Sequence, residues 1–162
     1  MNEWLKIREA SGSEIAEIIR QRREMFHDMG FTDISALDVM QRTSEQFIRQ
    51  ALADGRYHQW FAETSGRRIV GGVAVLTHRW VSSPAIPRPE RSYILNMYVS
   101  PEFRRKGVAR RLMERAIEWC RGQGFFSLSL HASEMGVRLY EELGFKPTNE
   151  MRLDLGDAPD CS

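Results

Sequence analysis

The sequence predicts a mixed α+β fold in which helices interrupt a mostly antiparallel meander and one pair of strands runs parallel. Three stretches carry that prediction. Tyr93 to Gly122 reads as a strand, a basic turn with one glycine, and an amphipathic helix. His58 to Glu63 and Arg67 to Thr77 read as two strands of a hairpin turned at Ser65-Gly66. Phe125 to His131, followed by Ser133 to Leu143, repeats the strand-then-helix order. Because helices do not alternate strictly with strands, the pattern favours α+β over a doubly wound sheet.

In chain order, Trp4 and Ile7 mark a first strand ended by Ser11 and Gly12. Ser13 stands where it can cap a helix, and Ile15, Ile18, Ile19, Arg22, Met25, Phe26 and Met29 fall on one face of it, with Gly30 as its stop. Phe47, Ile48, Ala51 and Leu52 give a second helix its apolar face, stopped by Gly55. Gly71 and Gly72 lie inside the second hairpin strand, where glycine marks a bulge or the close approach of another backbone. His78 to Arg91 holds Pro84, Pro87 and Pro89 and reads as a loop or flap. Tyr93, Ile94, Leu95, Tyr98 and Val99 make a strand ended by Pro101. The helix after it presents Val108, Leu112, Arg115, Ala116, Trp119 and Cys120, widened by Ala109, Met113 and Ile117. Phe126, Leu128 and Leu130 then alternate with Ser127, Ser129 and His131, which is a strand with one polar face. Gly136, Leu139, Tyr140 and Leu143 share one side of a short helix that Gly144 stops, and Phe145 opens a last segment through Met151 and Leu155.

Length and charge bound the function. A chain of 162 residues is expected to form one domain over 1–162 with a sizeable core. A net charge of +1 speaks against a dedicated nucleic-acid binder, so the arginine cluster near residue 105 is a local device. Cys120 and Cys161 offer neither a disulfide framework nor metal-ligand spacing, and no metal is expected. Met1 to Ala10 is short and charged, unlike a signal peptide. No apolar run nears the ~20 residues of a membrane span. A cytoplasmic location is the expectation, with no membrane partner.

The strand-to-helix junction is where chemistry concentrates. A helix start leaves about four backbone N–H groups unpartnered and carries roughly half a positive charge. An anion accepts from those groups if no bulky side chain intervenes. Gly107 and Ala109 keep the approach open, and Arg104, Arg105, Lys106, Arg110 and Arg111 add positive charge. The same residues are also compatible with a solvated basic helix start that binds nothing.

Arg104-x-x-Gly107-x-Ala109 resembles the R/Q-x-x-G-x-G/A signature of the GNAT superfamily of N-acyltransferases. The segment His131 to Phe145, H-A-S-E-M-G-V-R-L-Y-E-E-L-G-F, is similar to the superfamily's later strand end, helix and Gly-Phe start. The resemblance spans roughly Trp4 to Leu155 and is specific from Tyr93 to Phe145. It implies a three-layer fold: a twisted, mostly antiparallel central sheet, about four helices, and a splayed parallel pair whose gap forms the cofactor cleft. It also implies acetyl-CoA as the cofactor. On that resemblance Arg104, Arg105, Lys106, Gly107, Val108, Ala109 and Arg110 hold the pyrophosphate. The backbone of Met97, Tyr98 and Val99 binds the pantetheine arm and thioester carbonyl. Ser133 stands where many relatives carry an asparagine that contacts the cofactor arm. Tyr140, in L-Y-x-x-x-G-F, corresponds to the tyrosine that protonates the departing thiolate.

Acyl transfer to an amine also needs a route for the amine's proton, because an alkyl ammonium has a pKa near ~10. His131 leads as a base, since histidine titrates near neutrality; Glu63, His78 and Glu150 are the other candidates, as is a water relay. Met25, Phe26 and Met29 on the first helix, with Asn149 and Glu150, are candidates for acceptor binding. The expected reaction is direct transfer of an acetyl group to a primary amine of a small molecule or amino-acid derivative. A protein or peptide N-acetyltransferase and a non-catalytic CoA-binding sensor are the other readings. A homodimer is left open.

Overall fold

A computed structural model describes residues 4–156; Cys161 lies outside them. The elements are β1 (Leu5–Glu9), α1 (Ile15–Asp28), α2 (Ile34–Ala53), β2 (Tyr57–Thr64), β3 (Ile69–Arg79), β4 (Glu90–Val99), α3 (Val108–Gly122), β5 (Leu128–Ser129) and α4 (Val137–Glu142). The strands form one sheet in the order β1-β2-β3-β4-β5. The first four pair antiparallel and β4 pairs parallel with β5.

Strand alternation sorts the side chains into two cores. Trp60, Val73, Val75 and Ile94 face α3, where Val108, Leu112, Met113 and Ala116 are essentially without exposure. Phe61 and Ala74 point the other way, against Ile15, Ile18 and Ile19 of α1 and Ile48 and Ala51 of α2. The result is three layers, as expected, because a sheet apolar on both faces must be covered on both. Among the described residues no helix is long and apolar enough to cross a membrane, and no cluster of His, Cys, Asp or Glu is placed to hold a metal.

Several boundaries differ from the sequence reading. Ser13 does not cap α1. Glu14 holds the N-cap position, and its carboxylate reaches back to accept from the Ser11 N–H at 2.7 Å. Asp33 caps α2 instead in the usual way, accepting from the Ala36 N–H at 3.1 Å. Phe47 is solvent-exposed rather than packed, under the Arg56 guanidinium at 5.9 Å. The flap is shorter than 78–91, because the ladder runs on through His78↔Arg91 and Arg79↔Glu90. The strand expected over Phe125–His131 keeps only Leu128–Ser129, and Phe126 is exposed. The helix expected from Ser133 begins at Val137, after a turn closed by the Gly136 N–H on the Ser133 carbonyl at 2.9 Å. Residues 145–155 form no strand, and Met151, Leu153 and Leu155 are exposed.

Glu14 gives the fold a pH dependence. Arg8 bonds both its oxygens, at 2.8 and 3.0 Å, and the hydrogen bond from Arg8 holds its pKa at about 2, against an ordinary 4.5. A carboxylate depressed in the folded state stabilises above its unfolded pKa and loses that contribution as pH falls through the folded one. Glu14→Gln is expected to lower stability by about 1–2 kcal/mol at pH 7, after allowance for partial exposure. In urea unfolding the gap between the two proteins should narrow as pH falls from 4.5 towards 2. A gap that stays constant across that window would assign the effect to something other than ionisation.

Both glycines of β3 mark close approach. A Cβ at Gly71 would lie 2.7 Å from the Tyr98 carbonyl oxygen, and one at Gly72 would lie 2.4 Å from Gln21 Oε1. The bulge lies immediately beside them, between the rungs Gly72↔Tyr98 and Ala74↔Leu95.

Candidate active site

The bulge follows from the register. Between those two rungs β3 advances from 72 to 74 while β4 runs from 98 to 95, so β4 carries one extra residue. Leu95 packs towards α1 and α2, Met97 towards α3, and Asn96 takes φ +53 between them.

Beyond Tyr93 β4 stands alone on one side. It pairs with β5 only at Ser92↔Leu128 and Tyr93↔Ser129, and its remaining length to Val99 has no strand on that edge. This is the expected splay. Backbone N–H and C=O groups on such an edge are open to an extended ligand.

The chain leaves β4 through a 3-10 turn at Pro101–Phe103 and enters α3 through two residues of positive φ, Arg105 at +62 and Gly107 at +80. Gly107 is the N-cap of α3, and no side chain caps that end. A Cβ at Gly107 would meet nothing within 4 Å, and the first-turn N–H groups lack a side-chain cap. Val108 is buried and anchors the turn to the core, while Ala109 is half-buried.

The cations divide into two sets. The Arg104 guanidinium turns inward: Nε donates to the Val99 carbonyl at 2.9 Å and Nη2 to Asp28 of α1. Arg110 donates to Glu142 of α4, which also takes Arg138 at 3.1 Å. Arg105 and Lys106 are exposed, with Lys106 Nζ 5.3 Å from the centre of the Phe103 ring. At Arg104 and Arg110 the side chains thus tie the turn to β4, α1 and α4.

Tyr140 is 7% exposed and lies at the wall of a cleft of about 530 Å³ that Tyr93, Leu130, His131 and Glu150 also line. Burial pushes its phenol pKa up, and among the described residues its oxygen has no hydrogen-bond partner. The ring packs edge-on to Phe145 at 5.9 Å. Gly136 makes room for it, since a Cβ there would lie 2.6 Å from Tyr140 Cε2. Ser133 is half-buried at the same turn, its carbonyl accepting from Gly136 and Val137.

His131 is held at both ring nitrogens. Arg152 donates to Nε2 at 3.1 Å, which leaves the proton on Nδ1 to be donated to the Tyr93 hydroxyl. For His131 to accept a proton, Arg152 must move away. Burial, with Glu150 nearby, pushes the Tyr93 phenol up. Glu63 is excluded as a base by position: it lies on β2, two strands from β4, with its carboxylate on Arg8 at 2.7 Å. His78 sits near the end of β3 against Trp80 and does not line the cleft. Met25, Phe26 and Met29 lie on or just past the end of α1 and do not line it either, whereas Glu150 does and the exposed Asn149 does not.

Sequence reasoning missed the polar layer under the bulge. Asn96, 4% exposed, accepts from Arg22 Nη1 at 2.6 Å and donates to the Tyr57 hydroxyl at 2.6 Å. Tyr98, beyond the bulge, donates to Glu24 of α1, and its phenol is pushed up to about 12 by burial and that carboxylate. One signal was present in the sequence: a polar residue breaking the apolar run Y-I-L-N-M-Y-V, with a cation on the apolar face of α1.

Comparison with known proteins agrees with this fold. The family model described as acetyltransferase (GNAT) family matches residues 19–145. A GCN5-related N-acetyltransferase from Ralstonia eutropha JMP134 is similar in structure, with 33% identity, a TM-score of 0.86, and coverage of 93% of this chain and 98% of that one. A predicted acetyltransferase with acetyl-CoA from Clostridium acetobutylicum shares the fold at 23% identity and a TM-score of 0.83, covering 93% and 96%. Human N-acetyltransferase 8 is 31% identical over 94 residues, which is 56% of this chain and 39% of that protein, so the chain spans well under half of that relative's length. The matched span runs from α1 through the bulge, the Gly107 turn and Tyr140 to Phe145, and the chain belongs to the GNAT family of acetyltransferases.

Proposed function

We propose that this chain moves an acetyl group from acetyl-CoA directly to a primary amine of a small molecule or amino-acid derivative. The observation that carries the reading is the edge of β4, without a strand partner beyond Tyr93 and leading into a helix start with no side chain over it. Those groups fit an extended amide-bearing arm that ends in a diphosphate. The acetyl-CoA named for the Clostridium neighbour supports the same cofactor.

In this reading acetyl-CoA supplies the activated thioester. N–H groups at the start of α3 and the turn before it, Arg105 to Ala109, donate to the diphosphate oxygens, with Arg105 and Lys106 adding charge. Backbone groups of Met97, Tyr98 and Val99 orient the arm and meet negative charge that develops on the carbonyl oxygen; losing such a donor typically costs about 2.7–4 kcal/mol. Tyr140 holds its proton at neutral pH, as a phenol does and the more so when burial raises its pKa, and donates it to the departing thiolate. The acceptor enters at the cleft, where Glu150 offers the negative charge that suits an ammonium group. The ammonium gives one proton to water before its nitrogen attacks, and the proton the nitrogen loses as the C–S bond breaks returns through water to the Tyr140 phenolate. The Glu150, His131 and Arg152 cluster is polar and open, which suits a small amine.

Acetyl-CoA is expected to raise the melting temperature, since ligand at ~100 Kd adds about 2.7 kcal/mol. Release of free thiol is then followed with a simple alkyl amine, free amino acids, an amino sugar, an aminoglycoside and a peptide with a free N-terminus. Release with a small amine supports the proposal, and release with the peptide alone moves the assignment to a peptide acetyltransferase. Binding without release from any of them points to a CoA sensor. No thermal shift with acetyl-CoA or CoA overturns the reading.

A further inference from the structure

We propose that Asn96, gripped by Arg22 and Tyr57, is a positioning residue that fixes the β4 bulge and so the direction of the Met97 and Tyr98 backbone amides; the inference rests on the cofactor reading above.

Three non-glycine residues among those described have positive φ: Arg67 in a hairpin turn, Arg105 in the loop before α3, and Asn96. Asn96 alone of them lies inside a strand and is buried. Asparagine tolerates that region better than most side chains, but tolerance does not explain its contacts. Two elements meet at its amide, and a third joins through Arg22. Arg22 of α1 donates from Nη1 to Oδ1 and from Nε to Ser44 Oγ of α2 at 3.0 Å. Tyr57 of β2 accepts from Nδ2 and passes its own proton to Gln59 Oε1 at 3.2 Å.

The proton assignment is forced. A guanidinium only donates, so Oδ1 must face Arg22 and Nδ2 must face Tyr57. The amide therefore has one orientation, and the backbone it hangs from cannot rotate without breaking both bonds. Arg20 and Arg23, on the same helix, bond carboxylates, whereas Arg22 bonds only neutral oxygens among the described residues and stacks on Phe26 at 4.9 Å. A desolvated guanidinium with no anion is an expensive way to fill space. Here its forked donors fix a neighbouring amide, and the next two residues along the chain are those whose backbone aims the thioester.

Asn96→Gly separates the backbone from the tether, because glycine keeps positive φ but has no amide. Asn96→Asp restores it once the Tyr57 proton turns from Gln59 to the new carboxylate, which then accepts from both Arg22 and Tyr57. Tyr57→Phe removes one grip and leaves the β4 sequence intact. Thiol release is measured with acetyl-CoA and the fastest amine of the panel, CoA affinity by titration, and amide exchange at Met97 and Tyr98 in the ligand-free protein.

Asn96→Gly is expected to lower kcat about 10- to 100-fold, as a displacement near 1 Å does. Its CoA Kd should stay within about 3-fold, because the diphosphate is held at Gly107, and amide exchange at Met97 and Tyr98 should quicken. Asn96→Asp should recover most of the rate, and Tyr57→Phe should lose about 3- to 10-fold. Wild-type kcat in both Asn96→Gly and Tyr57→Phe overturns the proposal, as does loss of CoA affinity in proportion to rate. Should Asn96→Gly fail to fold, Tyr57→Phe decides the matter by the same split. A wild-type protein that binds no CoA would overturn the cofactor reading itself, and this proposal with it.

Discussion

Tyr140→Phe is expected to cut turnover by about 10- to 1,000-fold while leaving acetyl-CoA affinity within about 3-fold, in keeping with the range of acid–base catalysis. The substitution removes one oxygen and keeps the ring, so the contact with Phe145 and the fit against Gly136 survive. Stability should scarcely change, because the hydroxyl has no hydrogen-bond partner among the described residues to lose. A thiol's ordinary pKa is about 8.5, so its anion is a tolerable leaving group and the loss should fall short of the largest acid-catalysis effects. Gly136→Ala reaches the same atom from behind: its methyl must displace the ring, since the ideal Cβ lies 2.6 Å from Cε2. That variant should also lose turnover, with some loss of stability. The measurement is kcat and KM by thiol release beside Kd by titration. Wild-type turnover in Tyr140→Phe would leave the thiolate to solvent and reduce Tyr140 to a packing residue.

How much of this was legible depended on whether the signal was local. The helix face of α3 was readable because Val108, Leu112 and Ala116 repeat at helical spacing and nothing competes for them. Gly107 was readable as a helix start, although its positive φ matters as much as its missing side chain. The cap of α1 was not readable: Ser13 has the right chemistry, but Glu14 has Arg8 opposite it, and that partner comes from β1. β5 was over-read for a related reason. Alternation over Phe125–His131 describes what the chain can do, while the ladder ends at Tyr93↔Ser129, before β4 reaches its bulge.

Charge was least legible where it had distant partners. Arg104 and Arg110 stand by position among the anion-ligand candidates, and the structure pairs each with a carboxylate far away in sequence, Asp28 and Glu142. Arg22 was the reverse case. It sat in an apolar pattern on α1 and turned out to reach across to the one polar residue in the middle of β4. Neither outcome follows from helical period, because each depends on which strand the helix crosses.

Gly107→Val sets the two possible roles of that turn against each other. At φ +80 any L side chain is strained by roughly 1–2 kcal/mol, and a β-branched one is the worst choice. Yet the added atoms begin in empty space, so the fold should lose only that strain. An anion approaching the first-turn N–H groups would instead meet a branched side chain in its path. Loss of one or two charge-assisted hydrogen bonds, at about 1.5–3 kcal/mol each, predicts a CoA Kd raised by about 10²–10³-fold. Gly107→Ala should pay the strain with little obstruction, and so lower stability comparably while weakening CoA by no more than about 10-fold. Arg105→Ala removes an exposed charge and should weaken CoA several-fold at low salt, and less as salt is raised. If Gly107→Val bound CoA as the wild type does, the backbone at that turn would not be what grips the diphosphate. If valine and alanine weakened binding equally, distortion of the turn rather than occlusion would be the cause.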